Sequence, residues 1–286
     1  MDTTPHDLTP ERLATASGQL PPVAQVLARL QRLLSDTNSG LDDIAALIRI
    51  DPAMTTRVIQ ISNSAWFARG GASRTIEEAM NRIGFREVYH VVAVAASNAI
   101  IAQPLAAYGR DPLATWRESV TCAYAAEMIA DRLGEDTAVA YMSGLLQGVG
   151  RMAINQSLLG PEGRPLKQLA DEGFPADHSG AEMAHFGFTQ ADVAACLLER
   201  WSFAAENVES VRHQYDPLNA QEPHDRMSAV LYAARFLRSA LQGASPAPTD
   251  ESAEIFGALR TDQDDLLSYV PVLEPKITRA MQMMKS

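Results

Sequence analysis

Apolar residues recur at helical spacing along most of this chain, and no stretch shows the sustained two-residue alternation of a half-buried β-strand. One such run has its apolar positions at Val23, Val26, Leu27, Leu30, Leu33 and Leu34. Residues spaced by three and four lie on one face of an α-helix, so each run forms a stripe that a neighbouring element has to cover. Because no sheet is predicted, the helices must pack on one another. The sequence therefore predicts an all-α fold.

Start and stop signals divide the chain into predicted helices. Asp51-Pro52 starts one helix, because Asp accepts hydrogen bonds from first-turn amides and Pro lacks only an amide hydrogen that the first turn leaves unpaired. Three segments have the pattern of a capping box, in which two side chains satisfy first-turn amides; they begin at Thr75, Ser179 and Thr189. The helices predicted in the second half of the chain cover residues 113–133, 136–157, 191–201, 205–214, 225–242, 264–269 and 274–283.

A break with two prolines and a glycine, Gln103 to Pro112, separates two helical units. We expect the first unit at residues 20–104 and the second at residues 105–242, with an N-terminal extension at residues 1–19. Residues 243–286 are predicted to contain a flexible link, GASPAPTD, and terminal helices. A chain of 286 residues is long enough for two packed units without disulfides.

The segment from Val88 to Tyr108 has no formally charged residue and is long enough to cross a bilayer. It is rich in alanine, which contributes little to insertion into a membrane. It also contains polar residues, which would need hydrogen-bond partners in lipid, and a proline that interrupts it. These are His90, Ser97, Asn98, Gln103 and Pro104. We therefore expect a buried central helix and no membrane span. The first residues, MDTTPHDLTPERL, lack the features of a secretory signal, so we expect a cytoplasmic protein.

The charge balance argues against a nucleic-acid partner. The chain has 24 Lys and Arg against 35 Asp and Glu, a formal net charge of −11, whereas a nucleic-acid binder needs a basic face to displace counterions from phosphates. The hydrophobic share of 47% and the charged share of 21% are those of a globular protein, so wholesale disorder is excluded. Two cysteines cannot form a disulfide framework, and a reducing compartment is the simplest interpretation.

The common catalytic motifs are missing from the sequence. There is no GxGxxG after a strand, no GxxxxGK[ST], no HExxH and no GxSxG. Cys122 and Cys196 both fall on the apolar register of a predicted helix, which favours buried structural thiols over catalytic ones. The six histidines are scattered, with no spacing that indicates a metal site.

Several short motifs occur together in an order that resembles the HDOD domain family. They include Ile48 to Ala53, Asn63-Ser64-Ala65, Ile76 to Gly84, the SGLLQGVGR segment from Ser143 to Arg151, and Leu197 to Trp201. The resemblance covers residues 15 to 240, which is most of the chain. It implies two α-helical subdomains, the second an HD-like helical bundle. It also implies a bacterial signalling output module, related to the metal-dependent HD phosphohydrolases and the HD-GYP cyclic-dinucleotide phosphodiesterases.

The resemblance further implies how the metal positions of an HD hydrolase are filled in this chain. The seven positions that carry His or Asp in the hydrolases correspond to Glu118, Gln147, Gly148, Gln190, His213, Gln214 and Ala234. Only His213 is a good metal ligand here, with Glu118 as a possible substitute, and two ligands do not hold a catalytic metal. We therefore expect a degenerate HD site with no metal, no cofactor and no catalytic residues.

Three functions remain open on the sequence. The first is a non-catalytic module that binds another signalling protein. The implied partner is a receiver, a histidine kinase or a cyclic-dinucleotide enzyme. The candidate contact is the pair Trp66 and Phe67, which we expect to be exposed. The second is a module that binds a small anion such as a nucleotide, through Arg117, Arg151 and His213. The third is a metal-dependent phosphohydrolase with altered ligands.

Overall fold

The computed structural model describes residues 8–17, 22–36, 38–64, 67, 71–160, 163–244 and 249–285. In these residues the regular structure is helical, apart from two isolated antiparallel bridges that join Leu105 to Arg110 and Leu159 to Pro165. The predicted all-α fold is confirmed.

The first helices of the chain pack around one buried helix. They are α1 (Pro10–Ala16), α2 (Pro22–Ser35), α3 (Leu41–Arg49), α4 (Pro52–Ser62), α5 (Ile76–Ile83) and α6 (Phe85–Ile101). Helix α6 contains residues 88–101 of the uncharged segment, and Val91, Val92 and Ala93 on it are fully buried. It is covered by α2, α4 and α5 on one side and by a helix of the second unit on another. A central buried position therefore accounts for the lack of charge in that segment, and among the described residues no helix is long and apolar enough to cross a membrane.

The second unit is built around one long helix. Its helices are α7 (Pro112–Leu133), α8 (Thr137–Leu146), α9 (Gly150–Ser157), α10 (Ser179–Phe186), α11 (Gln190–Arg200), α12 (Ala205–Arg212) and α13 (Asp225–Leu241). Helix α7 packs against both α8 and α13. A β-carbon on Gly144 would lie 2.5 Å from the backbone oxygen of Cys122, and one on Gly150 would lie 2.0 Å from that of Gln190. These two glycines allow α8 to approach α7 and α9 to approach α11 at backbone distance.

The C-terminal residues form α14 (Asp250–Ala258), α15 (Gln263–Leu267) and α16 (Val270–Lys285). Helix α16 packs against α7 and α6, and α1 packs against α9 and α11, so both ends of the chain contact the second unit. The sequence analysis did not predict α1 or α14. Part of the predicted flexible link, residues 245–248, lies outside the described residues, and Thr249 directly after it caps α14 by accepting from the amide of Ser252.

Of the three predicted capping boxes, one forms completely, one forms by half and one is wrong. Thr189 and Asp192 form the predicted reciprocal pair at the start of α11. The Thr75 hydroxyl accepts from the backbone amide of Glu78, but the Glu78 carboxylate accepts from the amide of Arg74 instead of that of Thr75. Ser179 is instead the first residue of α10, whose cap position is His178. The carboxylate expected to complete that box is fully buried in hydrogen bonds to other elements, so it does not reach back to the cap.

Candidate functional site

Most of the seven positions implied by the HD resemblance come together inside the second unit. The side-chain amides of Gln190 and Gln214 both donate to the backbone oxygen of Gln147, at 3.0 and 2.9 Å. All three glutamines are buried, and Gly148 is the next residue of the same turn between α8 and α9. The start of α11, the end of α12 and the α8–α9 turn therefore meet at one point.

Three buried arginines surround one buried aspartate next to these glutamines. Asp177 lies in the turn before α10, and its Oδ1 is 2.6 Å from Nη2 of Arg238 while its Oδ2 is 2.9 Å from Nη2 of Arg235. Nη2 of Arg151 lies 3.9 Å from the same Oδ2. Each arginine is at most 4% exposed and the aspartate is 5% exposed. The arrangement is a charge cluster removed from solvent.

Local structure explains why these side chains converge. Arg235 and Arg238 are three residues apart on α13, so both project from one face of that helix. Nη1 of Arg235 also donates to the backbone oxygen of Gln214 at 2.6 Å, and its guanidinium lies 4.2 Å from the ring centroid of Tyr215. Asp177 has a φ of 52°, in the left-handed region that Asp tolerates better than most residues.

The arginines set the protonation state of the aspartate. Burial raises the pKa of Asp177, but the guanidiniums of Arg238, Arg235 and Arg151 outweigh burial and hold this pKa well below its usual range. Asp177 is therefore ionised at neutral pH.

A second carboxylate binds the same cluster from α7. Oε2 of Glu118 is 3.3 Å from Nη1 of Arg151, and Oε1 of Glu118 is 2.8 Å from Nη1 of Arg110. The amide of Gln242 also donates to Oε1 at 3.2 Å. Together, the residues described so far form what we call the polar centre: Glu118, Gln147, Arg151, Asp177, Gln190, Gln214, Arg235 and Arg238.

A third carboxylate, Glu182 on α10, lies at the edge of the polar centre. Its carboxylate accepts from the hydroxyl of Tyr108 at 2.8 Å and from the backbone amide of Gln190 at 2.7 Å. Burial raises the pKa of Glu182 to about 7, with these two hydrogen bonds acting in the opposite direction. Nearby, burial and the charge of Arg151 lower the pKa of His178 to about 4, so this histidine is neutral at pH 7.

The polar centre does not fit a divalent metal ion. The carboxylates of Glu118 and Asp177 are already bound by guanidinium groups, and the three buried arginines would repel a cation. The amide oxygen of glutamine is a weak, uncharged metal ligand, and Gly148 offers no side-chain atom. Among the described residues, no group of three or more His, Cys, Asp or Glu side chains is arranged to hold a metal ion.

Besides Gly148, two of the seven positions lie apart from the polar centre or contribute no polar side-chain atom. His213 is 27% exposed at the end of α12, where its Nε2 is 3.7 Å from Oε2 of Glu209. Ala234 is fully buried and places no donor or acceptor next to Arg235. The best metal ligand in the sequence therefore faces a surface glutamate.

The predicted anion pocket is not assembled as expected. Arg151 is in the polar centre, but Arg117 is exposed on the opposite side of α7, where it lines a surface groove of about 400 Å³ with Glu274, Ile277 and Met281 of α16. His213 joins neither of them. Consecutive residues of α7 point in different directions, so Glu118 reaches the centre and Arg117 does not.

The predicted partner contact is also corrected. Phe67 is only 8% exposed, and the guanidinium of Arg279 on α16 lies 4.4 Å from its ring centroid. Trp66 lies outside the described residues. Phe67 is therefore part of the core where α16 crosses the first unit, and it is not an exposed contact.

The two cysteines are buried and free, as predicted. Burial raises the pKa of Cys122 to about 11, which keeps the thiol protonated and unreactive at neutral pH. Residues Asp177, Arg235 and Arg238, which dominate the polar centre, were not singled out from the sequence. The signal that could have identified the arginines is their position on a helix whose other residues from Met227 to Leu237 are mostly apolar.

Comparisons with known proteins place these observations in a family. The family model described as HDOD domain matches residues 20–217. A protein of Treponema pallidum (strain Nichols), described as uncharacterized, is 22% identical over 236 residues, which cover 82% of this chain and 45% of that protein. This chain thus spans less than half the length of that curated relative.

Solved structures share the fold at low sequence identity. A candidate signal transduction protein of Marinobacter aquaeolei VT8 has a TM-score of 0.69 at 22% identity, over 93% of this chain and 60% of that one. An HDOD domain protein with unknown function from Geobacter sulfurreducens has a TM-score of 0.68 at 20% identity, over 95% and 96% of the two chains. A candidate phosphohydrolase of Shewanella amazonensis SB2B has a TM-score of 0.67 at 21% identity, over 96% and 97%.

Proposed function

This chain belongs to the HDOD domain family, and from that membership and the composition of its polar centre we propose that it is a non-catalytic signal-transduction module that acts by binding other proteins. The observation that carries the proposal is the cluster of three buried guanidiniums around Asp177, where a hydrolase of the HD type would hold its metal.

The argument against catalysis is electrostatic. A metal-dependent phosphohydrolase needs at least one divalent ion to generate hydroxide and to bind the phosphate oxygens. In this chain Arg235 and Arg238 already neutralise Asp177, and Glu118 is bound by two further arginines. The fixed guanidinium charges take over the structural role of a cation and occupy the carboxylates of Glu118 and Asp177.

Without catalysis, the module would act by binding a protein partner. The Marinobacter protein with the same fold is described as a candidate signal transduction protein, and this chain covers 60% of its length. An HDOD unit that forms part of a longer relative is consistent with a module that is combined with other signalling domains. The proposed partner is a receiver, a histidine kinase or a cyclic-dinucleotide enzyme, and the proposed location is the cytoplasm.

The hydrolase alternative is tested by an activity assay with matched variants. The purified chain is incubated with Mn²⁺ and a phosphodiester such as bis(4-nitrophenyl) phosphate, and we expect hydrolysis equal to that of a protein-free blank. Turnover that a chelator abolishes, and that falls in the variants Glu118→Gln or His213→Gln, would overturn the non-catalytic proposal, because these are the two remaining metal donors among the seven positions.

The interaction itself is tested with purified partners. Receiver domains, kinase cytoplasmic domains and cyclic-dinucleotide enzymes from the same genome are titrated against the immobilised chain by biolayer interferometry, with receivers from an unrelated bacterium as the control. We expect saturable binding to at least one native partner, at about micromolar affinity or tighter, and none to the controls. Equal binding to native and control proteins, or to none of them, contradicts the proposal.

A further inference from the structure

We propose that the polar centre contains a binding site for a small phosphate-bearing anion, with the guanidinium of Arg151 as its main contact and the open side of Gly148 as its entrance. This site goes beyond the protein-binding role proposed above and does not depend on it.

The first observation is that the side of Gly148 on which a side chain would project faces the guanidinium of Arg151. A β-carbon on Gly148 would lie 3.8 Å from Nη1 and 3.9 Å from Cζ of Arg151, and, apart from the two residues next to Gly148 in the chain, no other residue comes within 4 Å. Gly148 is also partly exposed, whereas Gly144 and Gly150 on either side are packed against backbone. The α8–α9 turn therefore gives access to one guanidinium at the position where the HD resemblance expects an aspartate.

The second observation is that Arg151 is held more loosely than the other two arginines. Its Nη1 is 3.3 Å from Glu118, and its Nη2 is 3.9 Å from Asp177, which is beyond hydrogen-bond distance. The contacts of Arg235 and Arg238 to the same aspartate are 2.9 and 2.6 Å. Most of the hydrogen-bonding capacity of Arg151 thus remains for a ligand.

The third observation is a concentration of unpartnered polar atoms in this region. Gln147 is 1% exposed, yet neither atom of its side-chain amide has a hydrogen-bond partner. Of the 17 such buried atoms among the described residues, nine belong to this centre or to His178 beside it, and the other eight are spread over the rest of the fold. Besides the two atoms of Gln147 they are Oε1 of Gln190 and Gln214, Nε of Arg151, Arg235 and Arg238, and both ring nitrogens of His178. Buried polar atoms in folded proteins are nearly always paired, so their accumulation here indicates a ligand.

The fourth observation is the sign of the charge. Arg110, Arg151, Arg235 and Arg238 supply four positive charges, against the carboxylates of Glu118 and Asp177. Asp171 pairs with Arg110 at the exposed edge, and Glu182 is only partly ionised near pH 7 because burial raises its pKa. A positive excess in a buried site favours an anion.

The chemistry of the groups points to phosphate. A guanidinium binds two phosphate oxygens at once with matched geometry. The glutamine oxygens accept hydrogen bonds, which the hydroxyl of a singly protonated phosphate or of an attached sugar can donate. Inorganic phosphate and the phosphate group of a nucleotide share this chemistry, and the experiment has an arm for each.

Binding is measured by isothermal titration calorimetry at constant ionic strength with inorganic phosphate in one arm and adenosine 5′-monophosphate in the other, and with chloride as the control anion. The decisive variant is Gly148→Asp, which places a carboxylate in the open space against Arg151. The matched control is Gly257→Asp on α14, which introduces the same carboxylate where a β-carbon would meet nothing within 4 Å.

We expect the parent and Gly257→Asp to bind at least one probe, and Gly148→Asp to bind it at least about ten-fold more weakly while keeping its thermal unfolding midpoint. Equal affinity for both probes identifies the phosphate group as the determinant, and preference for the nucleotide identifies a larger ligand. A second variant, Arg151→Lys, keeps the charge but loses the paired donors, and we expect weaker binding from it as well. Failure of the parent to bind either probe at about 10 mM, or equal binding by parent and Gly148→Asp, overturns the proposal.

Discussion

Replacing Asp177 by Asn tests the charge cluster directly. Asn has the same shape and also tolerates the left-handed backbone at this position, so the substitution removes a charge without changing packing or φ. The carboxylate contacts Arg238 at 2.6 Å and Arg235 at 2.9 Å and is 5% exposed. Removing one partner of such a buried pair leaves the other charges uncompensated, which costs about 3–5 kcal/mol of folding free energy.

One side-chain oxygen survives in Asn and still accepts from an arginine, so we expect the lower end of that range, about 3 kcal/mol. In a chain of this size the thermal midpoint should fall by about 6–12 °C. Urea unfolding followed by circular dichroism measures the free energy of unfolding, and differential scanning calorimetry measures the midpoint. The matched control is Asp171→Asn, whose ion pair with Arg110 is partly exposed and is expected to contribute about 0–1 kcal/mol.

The pH dependence of the difference between parent and Asp177→Asn follows from the lowered pKa. A carboxyl group whose folded pKa is depressed stabilises the protein above its unfolded pKa, about 3.9, and loses that contribution as pH falls toward the folded pKa. The difference should therefore stay constant from about pH 7 to pH 5 and shrink below about pH 4. A loss of less than about 1 kcal/mol at pH 7, or equal losses in Asp177→Asn and Asp171→Asn, would refute the idea that the guanidiniums are held by this carboxylate.

Three further predictions concern other parts of the structure. Gly150→Ala should destabilise the protein by about 3 kcal/mol, because its β-carbon would lie 2.0 Å from the Gln190 backbone. The control is Gly257→Ala on α14, where a β-carbon meets nothing within 4 Å, and it should stabilise the protein by about 0.5–1 kcal/mol in the same urea assay. The free energy of unfolding of Glu182→Gln should rise relative to that of the parent as pH increases from about 4.5 to 7. The reason is that a carboxyl group whose pKa is raised by folding destabilises the folded protein as it ionises over that interval. An unchanged difference in unfolding free energy across this range contradicts the burial argument. Arg279→Ala should lower the free energy of unfolding by about 1–2 kcal/mol and speed amide hydrogen exchange in α16. The reason is that Arg279 covers the Phe67 ring and pairs with Glu87 at 3.0 Å. Unaltered exchange in α16 would show that these contacts do not hold the helix in place.

The architecture was predictable because local patterns determine it. The stripe from Val23 to Leu34 lies on α2, the start signal at Pro52 falls at the start of α4, and the helix predicted at residues 113–133 is α7. The charge-free segment became the buried helix α6 for the reason given from the sequence, since its polar residues find partners in the protein: His90 lies 2.9 Å from Glu127.

The polar centre was only half predictable. The resemblance identified Glu118, Gln147 and Gln190, and the structure places them together. The decisive partner, Asp177, is 58 residues before Arg235 and lies in a turn without a sequence motif, so no local pattern links the two. Long-range pairing of charged side chains depends on tertiary packing, which periodicity does not encode.

The surface predictions failed for a related reason. Phe67 stands near glycines in a segment typical of an exposed turn, and only the packing of α16, more than 200 residues later, buries it. Arg117 and Arg151 both carry charge near the resemblance motifs, but the direction in which a helix presents each side chain decides which one reaches the centre.

The central claim is that buried arginines replace a metal ion in an HD-like centre, and metal content tests it most directly. The chain is purified without a chelator or an affinity metal, resupplied with Mn²⁺ or Fe²⁺, desalted, and analysed by elemental mass spectrometry. The account predicts less than about 0.1 divalent ion per chain, both for the parent and for a Gln147→His, Gly148→Asp double variant, because Arg151, Arg235 and Arg238 remain in place. Close to one tightly bound ion per parent chain would contradict it.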